Sequence, residues 1–182
     1  STGATEMGQG VNAKIAALVA EVFDISHNDV IVMPTSTEKN HNTSPTAASS
    51  GSDINGRAAV AAATLIRKRL ESLAALVLAR PAEKRGRVIA GAGSEPELVI
   101  PDTPGDGAIG FADGYVYKND DPTQRIKLTE LIEEAYLNRV SLGEQAYYRY
   151  PGIHFNKATG EGHPFLYYTN GVALSKVQID KY

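Results

Sequence analysis

Between Pro45 and about Leu78 the chain runs as one alanine-rich stretch with helical patterning, and this stretch limits the fold more than any other feature. Pro45 suits the first turn of a helix, and Ser44 is a candidate N-cap. Ala58, Ala59, Ala61, Ala62 and Ala63 carry almost no side chain, so neighbouring elements can approach this helix closely. One such neighbour is written upstream. Ile15, Leu18, Val19, Val22 and Phe23 fall at i, i+3, i+4, i+7 and i+8, which is one face of a second helix. A further helix signal lies in KLTELIEEAYLNRV, with Leu128, Leu131, Ile132, Ala135 and Tyr136 on one side.

The remaining segments read as strands and turns. DVIVMP, from Asp29 to Pro34, predicts a short buried strand stopped by proline, and TSTEKNHNTS is polar turn material. Arg80 to Arg125 is rich in Gly, Pro, Asp and Glu and reads as a surface insertion at about 80–125. Within it, GFADGYVY predicts a hairpin turning at Asp113-Gly114. EQAYYRY and PFLYYTNGVALSKVQI read as closing strands. The expected class is α/β in the α+β sense, with two main helices on a small mixed sheet. The chain opens at Ser1 beside a motif and stops in what reads as a strand in progress. It is therefore expected to be a piece of a larger domain.

Composition narrows the function. With 42% hydrophobic residues in 182, the chain can bury a core. Its net charge of −3 supplies no basic field for nucleic acid. It has no cysteine, so it holds no iron–sulfur cluster or thiolate zinc site itself. No apolar run approaches the ~20 residues of a membrane span, and no signal peptide is visible. A cytoplasmic protein without membrane association is expected.

Two segments share a design. MGQG precedes the first helix, and SPTAASSGSD opens the second. Each sets small residues and free backbone N–H groups at a helix N-terminus, where the first amides lack intrahelical partners and the dipole is positive. Such an end suits phosphate. Gly8, Gly10, Ala47, Ala48 and Gly51 leave room for a ligand to approach the backbone, while Thr46, Ser49 and Ser50 add hydroxyls. Gln9 offers donors and an acceptor for a polar ring edge. Neither segment matches the P-loop or the dinucleotide fingerprint.

These residues also carry a resemblance. GATEMGQGVNAKIAALVAEVF, HNTSPTAASSGSDINGRA, VSLGEQAYYRYPG and GHPFLYYTNGVALSKVQID occur in this order. In that order they resemble the later part of the molybdopterin-binding subunit or domain of the xanthine dehydrogenase and aldehyde oxidase family of molybdenum hydroxylases. The resemblance implies a molybdenum–molybdopterin cofactor, in a mono- or dinucleotide form that the sequence leaves open. Its EMGQG segment implies pterin contacts from Met7, Gly8 and Gln9. Its TAAS segment implies that Thr46, Ala47, Ala48 and Ser49 line the cofactor and metal pocket. Ser50 and Gly51 follow where relatives often have Ala and Ser, and Lys176 stands where relatives usually carry an acid.

By the same resemblance, no catalytic residue lies in this chain. The family's glutamate base is expected beyond Tyr182, and its glycine-rich loop and substrate-gripping residues before Ser1. Protein metal ligands are not expected, because the pterin dithiolene holds the metal. FAD and 2Fe–2S clusters are expected on partner domains or subunits, beside the rest of the molybdopterin-binding domain, and homo-oligomerisation is left open. The whole enzyme would hydroxylate an electron-poor carbon with a water-derived oxygen. Thr-Ser-Pro-Thr-Ala-Ala-Ser resembles the purine-oxidising members, which take hypoxanthine and xanthine to urate, whereas aldehyde-oxidising members more often carry Gly-Gly at Ala47 and Ala48. The alternatives are a hydroxylase of aldehydes or other N-heterocycles, and a cofactor-binding module without turnover.

Other candidates have plainer readings. Glu6 could pose as a catalytic acid, but a helix-entry role through the dipole is the better expectation. His27, His41, His154 and His163 lack ligand-like spacing and read as surface or turn residues. Tyr147, Tyr148, Tyr150, Tyr167 and Tyr168 read as cross-strand neighbours. Arg67, Lys68 and Arg69 read as a solvated helix face.

Overall fold

The computed structural model describes residues 1–40, 43, 45–81, 85, 107–164 and 173–181. The chain divides into two units, Ser1–Tyr148 and Arg149–Tyr182. In the first unit, helices α1 (Val11–Phe23), α2 (Gly51–Leu78) and α3 (Leu128–Leu137) accompany three strands. Strands β1 (Ile109–Ala112), β2 (Tyr115–Lys118) and β3 (Arg125–Lys127) form an antiparallel sheet in the order β1-β2-β3. The described residues of the second unit carry one hairpin, β4 (His154–Asn156) paired with β5 (Glu161–His163). The mixed α/β class read from the sequence is the class observed, with both of these sheets antiparallel.

Three contacts fix the relation of α1 to α2. A Cβ on Gly51 would lie 3.4 Å from Val11 Cγ2, and one on Gly56 would lie 2.6 Å from Leu18 Cδ1. Further along, Arg67 Nη1 donates to the Val22 carbonyl. These contacts advance together along both helices, so α1 and α2 run in the same direction with their N-termini side by side. Gly56 is buried and leaves the space that Leu18 fills. At its far end α1 stops on Asp24 at φ 51°, and the Ile25 amide donates back to the Ala20 carbonyl at 3.1 Å.

The main core lies between the C-terminal half of α2, the sheet and α3. It holds Leu70, Leu73, Val77, Phe111, Val116, Ile126 and Leu131. Register explains the sheet's share, since Phe111 faces Val116 and Val116 faces Ile126 across the ladders. The turn from β1 to β2 is Asp113-Gly114, both at positive φ (49° and 76°), as a two-residue hairpin of this hand requires. A second, smaller core of Ala4, Val11 and Ile15, with Ala59 against it, sits at the start of α1.

Several sequence expectations change. The stretch read as a surface insertion is partly structural. Ile109, Phe111, Val116 and Ile126 enter the main core, while residues 82–84 and 86–106 lie outside the described residues. DVIVMP forms no strand. Asp29 closes a 3₁₀ turn, residues 30–34 join no ladder among the described residues, and Ile31 is 85% exposed. A short apolar run becomes a strand only beside a partner edge. The long helix begins at Gly51 rather than Pro45. A 3₁₀ turn at Ala48–Ser50 precedes it, and Ser49 departs from helical geometry. Ser44 lies outside the described residues.

Other shifts concern side chains. On α3 the buried face is Leu128, Leu131, Glu134 and Ala135, whereas Ile132 and Tyr136 are exposed. Arg67 is not a solvated residue. Its guanidinium also bonds Glu71 at 2.8 Å and stacks 4.5 Å from the Phe111 ring centre. Arg69 donates to the Ser141 and Gly143 carbonyls and pairs with Glu144, while Lys68 is exposed as expected. EQAYYRY forms no strand, so Tyr147, Tyr148 and Tyr150 are not cross-strand neighbours. Instead, Arg57 stacks 5.3 Å from the Tyr148 ring centre, and Gln145 donates to the Tyr147 hydroxyl at 2.8 Å. Tyr167 and Tyr168 lie outside the described residues. Residues 173–181 form no strand and expose Leu174, Val177 and Ile179.

The buried face of α3 can be tested directly. Leu131→Ala empties a fully buried site and should cost about 2–5 kcal/mol in urea unfolding followed by circular dichroism. Ile132→Ala, on the exposed side, should cost well under half as much. Equal losses would contradict this packing.

Candidate cofactor-binding site

The glycine-bearing turn before α1 is held together by two of its own side chains. Gly8 and Gly10 adopt positive φ, 99° and 73°, which bends the backbone back over Glu6. Glu6 Oε1 accepts from the Gly8 amide at 2.9 Å and the Gly10 amide at 3.0 Å. Glu6 Oε2 accepts from the Asn12 amide at 3.0 Å. Gln9 completes the turn. Its Oε1 accepts from the Met7 amide at 2.6 Å, and its Nε2 donates to the Thr5 carbonyl at 2.8 Å. The helix-entry reading of Glu6 is thus what the geometry carries.

This changes the expected symmetry of the two helix ends. The α1 end, read as open to an anion, already holds the chain's own carboxylate. The amides of Asn12 and then Gly10 keep the Glu6 carboxyl below its ordinary value. The start of α2 differs. Ser50 stands at its N-cap with no side-chain bond to the first-turn amides, and its hydroxyl donates backwards to the Ala47 carbonyl at 3.1 Å.

The two segments meet. The Thr5 amide donates to Thr46 Oγ1 at 2.8 Å, which leaves the Thr46 hydroxyl proton free to point elsewhere. Gly51 packs beside Val11 at the first turns of both helices. Beneath them, Thr35 Oγ1 donates to the Ala4 carbonyl at 2.7 Å, and Thr2 bonds Asn55 of α2 at 3.3 Å. The structure therefore brings Met7, Gly8 and Gln9 to the same end of the helix pair as Thr46, Ala47, Ala48, Ser49, Ser50 and Gly51. Met7 and Gln9 are exposed, Met7 by 68%.

A cleft of about 410 Å³ opens beside the start of α2, with Thr2, Gly3, Lys39, Asn40, Ser50 and Asn55 on its wall. Ser50 is the one expected cofactor residue that lines it. Sequence reading missed Thr2, Thr5 and Thr35, because single hydrogen bonds across 31 to 53 residues, two from threonine hydroxyls and one from the Thr5 amide, leave no local pattern. His27, His154 and His163 are exposed, and His41 lies outside the described residues.

The chain is similar to known proteins along nearly its whole length. A family model described as "Molybdopterin cofactor-binding domain" matches residues 1–99 and 103–182, and the chain belongs to that family. The chain is 30% identical over 178 residues to a xanthine dehydrogenase of Emericella nidulans. It is 32% identical over 181 residues to one from Drosophila subobscura. These matches cover 98% and 99% of this chain but 10% of each relative, so the chain spans about a tenth of their length. A crystal structure of quinoline 2-oxidoreductase from Pseudomonas putida 86 shares the fold, with a TM-score of 0.53. That match spans 79% of this chain and 15% of the other at 23% identity. Among the described residues, no helix is long and apolar enough to cross a membrane.

Glu6 gives a pH signature. A carboxyl whose folded pKa is depressed stabilises the fold above its unfolded pKa, and the effect is lost as pH falls through the folded value. Glu6→Gln should therefore be less stable than the parent near neutrality. The two midpoints should converge as pH falls through the carboxylate range. A gap that stays constant through that range would exclude the amide-bound carboxylate.

Proposed function

We propose that this chain forms part of the pyranopterin cofactor site of a molybdenum hydroxylase of the xanthine dehydrogenase type. The supporting observation is the unequal pair of helix starts. Glu6 binds the amides that lead into α1, whereas Ser50 makes no side-chain cap at the start of α2, and the Thr5–Thr46 bond joins the two segments. A phosphorylated ring system matches that donor set. A helix start at Gly51 suits a phosphate, the Thr46 proton can donate, and Gln9 keeps one amide proton and acceptor capacity for a polar ring. Met7 would cover an apolar edge.

When bound, the molybdenum cofactor supplies the redox chemistry that this chain's side chains lack. The chain's own share is to bind, to orient and to exclude water. The fixed turn of Glu6 and Gln9 gives the cofactor a rigid wall, and the Thr5–Thr46 bond keeps that wall in register with α2. Electron transfer would pass to 2Fe–2S and FAD groups on other domains or subunits. Hypoxanthine and xanthine are the proposed substrates. The Ala47-Ala48 pair, where aldehyde-oxidising relatives more often carry Gly-Gly, favours the purine reading.

Two experiments on the full-length enzyme test this reading. Thr46→Val removes the hydroxyl at nearly constant shape and should lower molybdenum content per protein, while Thr46→Ser should keep it. Equal metal content in both would remove Thr46 from the site. Separately, kcat/KM for hypoxanthine and xanthine should exceed that for aldehydes and for quinoline. A preference for aldehydes or quinoline would replace the purine assignment and leave the cofactor reading standing.

A further inference from the structure

We propose that His154 and His163 form a two-imidazole site for a divalent transition-metal ion, of the Cu²⁺, Ni²⁺ or Zn²⁺ class, on the β4–β5 hairpin. The two histidines are direct partners in the antiparallel register, His154 opposite His163. Residues so placed share one face of the ladder, with Cβ atoms ~4.5–5.5 Å apart. That is a spacing at which two imidazoles converge on one ion. Glycine fixes this register. A Cβ on Gly162 would lie 2.5 Å from the His154 carbonyl oxygen and 2.6 Å from Phe155 Cα, backbone atoms that cannot yield.

A second observation concerns the ring of His154. Its Nδ1 lies 3.1 Å from the Gly152 carbonyl oxygen. A carbonyl can only accept, so Nδ1 is the donor in this contact, and the neutral ring that binds a metal has its lone pair on Nε2. Metal-binding histidines are oriented by this same kind of bond from the second ring nitrogen. Among the described residues, no group of three or more His, Asp or Glu forms a metal cage, so water would complete the coordination. Imidazole donors select copper, nickel and zinc over magnesium and calcium, which take oxygen.

The hairpin also has a use for such a clip. All six residues of β4 and β5 are exposed, and an isolated two-stranded ladder is marginal in water. An ion bound only to the paired register stabilises that register by mass action.

Titration of the purified protein with CuCl₂, read by equilibrium dialysis and electron paramagnetic resonance, tests the proposal. One equivalent should bind with two nitrogen donors. His154→Ala and His163→Ala should each weaken that equivalent by about tenfold or more. Each single change should remove most of what the double variant loses, whereas His27→Ala should leave binding unchanged. MgCl₂ in the same titration should not compete. Retention of the equivalent in both single variants would overturn the site. So would losses that simply multiply in the double variant, which mark two independent surface imidazoles.

Discussion

Two helices that start side by side and run the same way place two positive dipole ends together. That repulsion is the constraint on which this end of the molecule depends. Glu6 relieves it at α1, where one carboxylate accepts from three amides of a turn that only positive-φ glycines can make. At α2 the N-cap Ser50 makes no such bond, and Asp53 is the acidic residue of the first turn. Glu6 before α1 and Asp53 in the first turn of α2 thus bring an acidic group to each helix start.

The opposite end of the pair is closed by charge of the other sign. Arg67 meets the last carbonyls of α1 through Val22, bonds Glu71 on its own helix and lies over Phe111. One side chain therefore joins α1, α2 and the sheet, and Phe23 meets the same Phe111 ring edge-on at 6.4 Å. The hairpin then acts as the floor on which the C-terminal half of α2 rests. Contacts far from the helix starts thus help to hold α1 against α2.

Local rules were the legible part of the sequence. The 3.6-residue spacing located α1 and α3, Asp113-Gly114 located a hairpin turn, and small residues before two helices located the candidate site. What failed were features decided by partners. DVIVMP carries strand chemistry without an edge to join, and residues 144–150 carry alternating tyrosines without a ladder. Arg67 and Glu134 look like surface charges on a helical wheel, yet each faces inward because of what packs over it. Gly-, Pro- and acid-rich composition between Arg80 and Arg125 concealed the core positions Ile109, Phe111 and Val116, since four-residue strands are too short to outweigh their turns. The β4–β5 hairpin was missed for the same reason, as its strands are three residues each and wholly exposed.

The bonds of the EMGQG turn reach only two to six residues along the chain, whereas the Thr5–Thr46 bond reaches across 41. Loop-closure entropy separates these scales. The first wall of the site can form while a nascent chain has made little else, as soon as Asn12 is available to its carboxylate. The second wall must wait until α1 and α2 have docked. Assembly of this end of the helix pair thus has an inherent order in time, with one half finished before the later helix arrives.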